Sequence, residues 1–405
     1  MTQPVKWFAS DMAGAPACSG QAGVLISLLN ACLVDGFNLL TLDSLVVAGN
    51  VATGTKAGHG YKLHQIVEIA GASPVGLNGQ WRVTEVSTNT FKFATTGISD
   101  QTATGTITAK TASAGWLKPY TGTNKATFRS QKAGATQCHI RVDDSVALYA
   151  TVTGYESMTD VDTGTKAFGP HYFKKSSAAD ATSRPWVMIA DERGFYLGIA
   201  WSNTTTYDFY HFGDFDTLIA GDAWACRLQG LAASGPGTIG QYSSVSEATP
   251  AAVGYARTSL TPRTYAAIYT QTALLQHSMS GGQCIYAQGI TSTPANAASN
   301  FSGIHGYQNA QSYDQFASPS PGDAGYHYFP VFLVEVASSQ KFLRGSCRGL
   351  LHVYEYNPTF SGSYTIQEGV QNVSGGLVMM IRSAGETQYP LYPQTTLAFN
   401  LGDWG

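Results

Sequence analysis

Near the N-terminus the apolar residues Val24, Leu25, Leu28, Leu29 and Cys32 recur at three- and four-residue steps, the repeat that lays a stripe along one side of a helix. The pattern predicts a single helix from Gly20 to about Val34, with Ser19 placed to cap its first turn and Gly36 to end it. From Leu42 to Lys110 the period changes to two. Val67 and Ile69, Trp81 and Val83, then Phe91 and Phe93 alternate with polar neighbours, and Leu45 to Val47 precede Gly49-Asn50. Five or six short strands in that stretch suit a small barrel better than two full sheets. Gly49-Asn50 and Asn78-Gly79 predict tight hairpin turns, because both residue types accept positive φ.

Further strands are expected at 126–129, 138–142, 147–155, 186–190, 196–201 and 223–228, most of them bounded by Gly, Asp, Asn or Thr. The stretches 230–254 and 289–325 are rich in Gly, Ala, Ser and Pro without apolar periodicity and predict long loops, which are usually functional or interfacial. Apolar runs then return at 329–336, 350–354, 377–381 and 397–401. The expected fold is mainly β and multi-domain: an N-terminal segment with one short helix (1–41), an inserted small β-barrel (42–110) and a larger β-sandwich-like central body (111–230). A loop-rich region (231–325) and a C-terminal β segment packing on the central body (326–405) complete it. No repeat of twenty to fifty residues and no sustained heptad pattern occurs, which disfavours solenoids, propellers and coiled-coil shafts.

Composition narrows the function. Of 405 residues only 12% are charged, while Gly numbers 44 and the chain holds 22 Tyr, 18 Phe and 7 Trp. A surface with few charges repels neighbouring subunits weakly, and aromatics are frequent interface anchors. The profile suits an assembling β protein, with an ordinary β protein built on large aromatic cores as the plainer alternative. Lys and Arg total 23 against 26 Asp and Glu, a formal charge of −3 with no long run of either sign, so electrostatic nucleic-acid binding is not expected. No basic-then-apolar leader and no long uncharged apolar window occurs, so neither a standard export signal nor a membrane span is expected. The 6 Cys, at positions 18, 32, 138, 226, 284 and 347, show no CxxC pairing and are expected as free buried thiols.

Several blocks resemble a family of structural proteins of tailed phages and prophages. Ser10-Asp11-Met12-Ala13-Gly14-Ala15-Pro16, Gly20-Gln21-Ala22-Gly23 and Ala31-Cys32-Leu33-Val34-Asp35-Gly36-Phe37 resemble the family's start. The likeness returns at Gly115 to Ala126, at Arg141-Val142-Asp143-Asp144, along Gly154 to Thr165 and at Arg184-Pro185-Trp186-Val187, always in the same order. His59-Gly60-Tyr61, Val67 to Gly71, Leu77-Asn78-Gly79, Val83 to Val86 and Phe91-Lys92-Phe93 are similar to barrel modules spliced into many phage tail proteins. Those modules have been compared with a half-domain of ubiquitin-activating enzymes, a likeness of fold that carries no chemistry with it. Phe342 to Gly345, Gly349-Leu350 and Gly402-Asp403-Trp404 match related phage proteins more loosely.

The resemblance implies a virion location, in tail, baseplate or neck, with assembly in the bacterial host cytoplasm. It implies partners among other virion proteins, a symmetric homo-oligomer, no catalytic residues and no cofactor. Two alternatives stand beside it. One is a host-recognition component whose long loops bind a surface glycan or pilus; the other is a polysaccharide-degrading tail enzyme.

Candidate chemistry is sparse. Gly345-Ser346-Cys347-Arg348-Gly349 has the spacing of a nucleophile elbow, but the run Leu350 to Tyr354 predicts a strand where an elbow requires a helix, so a hairpin turn is the plainer expectation. His59 and His64, or Cys138 and His139, lack metal-ligand context; the latter pair should point to opposite faces of a strand. The carboxylates Asp143/Asp144, Asp160/Asp162, Asp191/Glu192 and Asp214/Asp216 would serve glycoside hydrolysis only if two faced each other across a cleft, and otherwise belong in turns. Asp160-x-Asp162 and Asp214-x-Asp216 do not continue as calcium loops. Tyr207, Phe209, Tyr210 and Phe212, with Tyr307, Tyr313 and Phe316 in the second long loop, are the candidate interface or receptor contacts; core packing is the alternative for the first four.

Overall fold

The computed structural model describes residues 4–202, 207–218, 220, 222, 225–231, 256–260, 285–286, 327–337, 340–354, 363–382 and 396–405. The chain is mainly β, built from several sheets, with one α-helix among the described residues. Its largest sheet is antiparallel and runs Lys6–Ala9, Trp186–Ala190, Gly194–Ile199, Asp208–Asp214, Cys226–Leu231, Gly164–Lys174, Tyr149–Met158, His139–Asp143, Lys125–Ser130, Trp116–Leu117. The N-terminal strand Lys6–Ala9 thus lies at the far end of the sheet from the strands around Trp116, held by Trp186–Ala190.

The strands Trp186–Ala190, Gly194–Ile199 and Asp208–Asp214 are buried at every position, because the sheet is covered on both faces and neither parity of side chains meets water. On one face Phe195 and Phe212 pack edge-on against Trp116, with ring centroids 5.6 and 6.0 Å away. On the other, Tyr196 and Phe209 meet Phe399 at 5.1 and 5.4 Å. Phe399 belongs to a second antiparallel sheet made of Ile285–Tyr286, His327–Ala337, Gln340–Tyr354, Thr396–Asn400, Val378–Arg382 and Tyr364–Gln367. The two sheets also join directly where Asp216–Thr217 pairs with Ser346 and Gly345. Several strands of the central sheet were not among those expected from the pattern, chiefly Lys6–Ala9, Gly164–Lys174 and Asp208–Asp214, nor was Tyr364–Gln367 in the C-terminal sheet.

The helix is shorter than expected. It runs Val24–Asn30 and continues as one π turn, Ala31–Asp35. Ser19 does not cap it: Gly23 precedes the first turn at φ +79°, and the Leu25 N–H donates instead to Asp144 Oδ2, 2.7 Å away and more than a hundred residues on. Gly36 does end it, at φ +77°.

Eight strands from Phe37–Thr41 to Thr108–Thr111 curl into a barrel-like sheet, more than the five or six expected and beginning ahead of Leu42. Leu45, Val47, Val67, Ile69, Val83, Phe91 and Phe93 fill it, a core separate from that of the body. Gly49 and Asn50 sit at φ +57° and +63° between Ser44–Ala48 and Val51–Thr55, the two-residue hairpin expected there. Asn78-Gly79 is not one. Asn78 has φ −75° and its amide grips the Ala72 backbone with two 2.8 Å bonds, closing a longer loop between Ile66–Ala70 and Gly79–Val86. At Gly54 a Cβ would lie 2.6 Å from the Phe91 ring, so only glycine lets that aromatic fill the barrel.

Candidate functional site

Tyr207, Phe209, Tyr210 and Phe212 are all buried. Tyr210 stacks on Phe173 at 4.7 Å, and Phe209 lies against the second sheet. They form the molecule's own interior and not a contact surface, a correction that stems from the cover on both faces of their strand. Tyr307, Tyr313 and Phe316 lie outside the described residues, as does most of the two long loop stretches.

Gly345 to Gly349 is neither an elbow nor a hairpin turn but the middle of the long strand Gln340–Tyr354. Cys347 is buried, and burial pushes its thiol up to about 11, partly opposed by Arg227. A nucleophilic thiol needs the reverse shift. Gly349 has φ +66° and lies so close to the Trp404 indole that a Cβ would come within 2.0 Å. The chemistry of this segment sits instead on Arg348. Its Nη2 donates to Asp191 Oδ2 and its Nη1 to Asp216 Oδ1, each at 2.8 Å, and Nη2 also reaches the Gly405 carbonyl at 3.0 Å. Burial works against the guanidinium charge, but Asp191 and Asp216 outweigh it and raise the pKa. Arg348 therefore joins Asp191 beside the central sheet, Asp216 on the strand that pairs with the C-terminal sheet, and the Gly405 backbone at one point.

The remaining carboxylate pairs are equally committed. Asp144 and Lys175 pair with both side chains at 0% exposure. Asp143 meets Arg141 at 3.3 Å, Glu192 meets Lys132 at 2.8 Å, and Asp214 takes Arg193 Nε at 3.0 Å beside Thr136. Asp160 accepts the backbone N–H groups of Asp162 and Thr163 at 2.7 and 2.8 Å, and Asp162 meets Lys125 at 2.9 Å, so this loop is closed by cations of the chain itself. Every member of the four pairs is thus bonded to a cation or to backbone N–H groups of the chain.

His59 is buried against Tyr61, its Nδ1 accepting the Tyr61 N–H at 2.9 Å, while His64 turns away to Glu368 at 2.9 Å. Burial and then Arg129 push His139 down to about 4. Among the described residues no group of three or more His, Cys, Asp or Glu converges on one point. The five described cysteines are unpaired and buried, and Cys284 lies outside the described residues. No helix among the described residues is long and apolar enough to cross a membrane.

Two polar sites had not been singled out in the sequence. Asp208 is buried, accepts the Trp201 indole N–H and is pushed up to about 7 by burial, with the Trp201 bond and Lys174 opposing. Lys174 Nζ stands 3.3 Å above the Trp201 ring. Arg82 leaves the barrel to donate to the carbonyls of Val5 at 3.3 Å and Leu401 at 2.6 Å, as well as to its own His64 at 3.0 Å. A lone charge in an apolar strand was the available signal for Asp208, between Tyr207 and Phe209, since such residues are rarely buried without partners. A shallow cavity of 370 Å³ lies between the start of the helix and the 121–125 turn, lined by Ala22, Ser27, Thr121, Asn124 and Lys125. Its one charged group, Lys125, is already paired with Asp162.

No protein-family model matches the chain, and no curated protein matches it either.

Proposed function

We propose that this chain is a non-enzymatic structural protein of a tailed-phage virion that assembles with copies of itself and with other virion proteins in the tail, baseplate or neck. The observation that carries this reading is where the phage-like blocks meet. Asp144, from one block, bonds Leu25 just beyond another. Arg184 N donates to Cys18 O at 2.7 Å, Trp186 Nε1 to Pro16 O at 2.9 Å, and Tyr120 Oη to Met158 O at 3.0 Å. Blocks scattered from Ser10 to Val187 therefore build one body, with the barrel spliced between the blocks that end at Phe37 and begin at Gly115. The commitment of each paired carboxylate and the buried, unactivated state of Cys347 support a geometric role over turnover. Subunit contacts then fall on outward residues such as Leu39, Val75 and Leu218, which are 67, 79 and 64% exposed, and not on the aromatic cluster.

The test is cryo-electron microscopy of the parent particle with antibodies against the purified chain, alongside its mass in solution. Density or label at a symmetric position, with a defined oligomer, is expected. A chain that stays monomeric and is missing from particles overturns the reading.

A further inference from the structure

We propose that the barrel is a hinged module, swinging on its two adjacent chain crossings and held against the body by a polar latch. Its core shares no residue with the core of the body. The chain enters along Phe37–Thr41 and leaves along Thr108–Thr111, neighbouring strands of the barrel's own sheet, so the two crossings at Gly36 and Ala112 lie side by side. Across the remaining contact the side-chain bonds are polar. Lys62 Nζ meets Asp11 at 2.6 Å and the Tyr364 hydroxyl at 3.1 Å, and that hydroxyl donates to Asp11 at 3.0 Å. His64 meets Glu368 at 2.9 Å. Arg82 reaches through to the Val5 and Leu401 carbonyls. Asp11 and Glu368 are 58 and 63% exposed, so the outer pairs are solvated and weak, whereas Arg82 is the inner pin. Gly60 approaches Ala13 and Gly14 approaches Asn38, so the surfaces touch closely, and apolar packing continues from body to barrel at the crossing, where Phe37 lies 6.0 Å from Phe8. Small polar contacts between domains permit relative motion, in contrast to large apolar ones.

The experiment places spin labels on the full chain at Val46→Cys in the barrel and Val146→Cys in the body, both exposed positions, with Cys284→Ser; the five described native cysteines are buried. Pulsed electron paramagnetic resonance then reads the distance distribution. A narrow distribution is expected without further change, and a broad one after Arg82→Met with Lys62→Met. Arg82→Met alone leaves an ionic latch, so about 1 M salt should broaden it by screening. Hydrogen exchange in the barrel strands should stay as slow as before, which separates swinging from unfolding. A distribution that stays narrow in the double variant removes the latch; one already broad in the parent chain shows that these contacts never held the barrel; barrel strands that exchange fast in the variants make the broadening unfolding and sink the hinge.

Discussion

Asp144 and Lys175 are both sealed from water and bonded to each other, and the second carboxylate oxygen of Asp144 holds the first turn of the only α-helix among the described residues. Lys175 Nζ also donates to the Gln21 carbonyl at 2.7 Å, so one ion pair fixes the helix and the segment ahead of it. Removing one partner strands a buried charge. Lys175→Met should cost about 3–5 kcal/mol, whereas Lys175→Met with Asp144→Asn should recover part of that loss by removing both charges. Urea denaturation of the three proteins measures it; a double variant less stable than the single one would refute the assignment.

Asp208 and His139 pull stability in opposite directions with pH. Asp208 ordinarily titrates near 3.8 but is pushed up to about 7 in the folded protein. Between those values the unfolded chain has released a proton that the folded one keeps, so this group makes stability fall as pH rises and then level off above 7. His139 is pushed down from 6.5 to about 4, so in that window the unfolded chain binds the extra proton and stability falls as pH drops. Buried His211, held well below its ordinary value by burial and then Arg227, acts in the same sense. Asp208→Asn should therefore leave stability rising from pH 4 to 6.5 more steeply than in the parent chain, by up to about 1.4 kcal/mol per pH unit. Thermal melts across that range check the slope, and an unchanged slope would show that Asp208 titrates normally.

What the sequence disclosed depended on how local the cause was. The Gly49-Asn50 turn was legible because both residues carry positive φ and the flanking strands alternate. Asn78-Gly79 has the same composition, but the Asn78 side chain is occupied six residues back on Ala72. The helix stripe was visible, while its start depends on Asp144 from a distant strand end. The aromatics around Phe209 and Tyr210 were surface candidates because aromatics are frequent interface anchors; that their strand is covered on both faces depends on a second sheet built from residues far along the chain. Arg348 was hidden inside a motif read for its cysteine, and its partners Asp191 and Asp216 come together only through the packing of two sheets.

Thiol reactivity checks the reading of Cys347. Burial pushes Cys347 up to about 11 and Cys18 up to about 12, and holds Cys32 and Cys226 well above their ordinary value. Iodoacetamide at neutral pH should leave the five described thiols unmodified in the folded protein and label all of them in denaturant. Peptide mass spectrometry assigns each site separately. Rapid labelling of Cys347 in the native chain would return it to consideration as a nucleophile.

The barrel should be removable. The Leu42 N–H donates to the Ile107 carbonyl at 2.9 Å, so the two ends of the inserted module are hydrogen-bonded neighbours. Replacing residues 43–106 by Asn-Gly joins them through a turn of the type already present at Gly49-Asn50. The body core keeps all its buried residues in such a chain, since those filling the barrel form their own cluster. The shortened protein is expected to stay soluble and to unfold in one cooperative step. Residues 37–111 alone should fold too, with slow exchange at the amides of Val67, Ile69 and Phe93, whose strands supply their own partners. Arg82 loses both body carbonyls in the isolated barrel and becomes free to meet water, so Arg82→Met should be nearly neutral there while weakening the docked contact in the full chain. Paired denaturation curves, with and without the body, measure that difference; equal costs in both settings would mean that Arg82 serves the barrel and not its attachment.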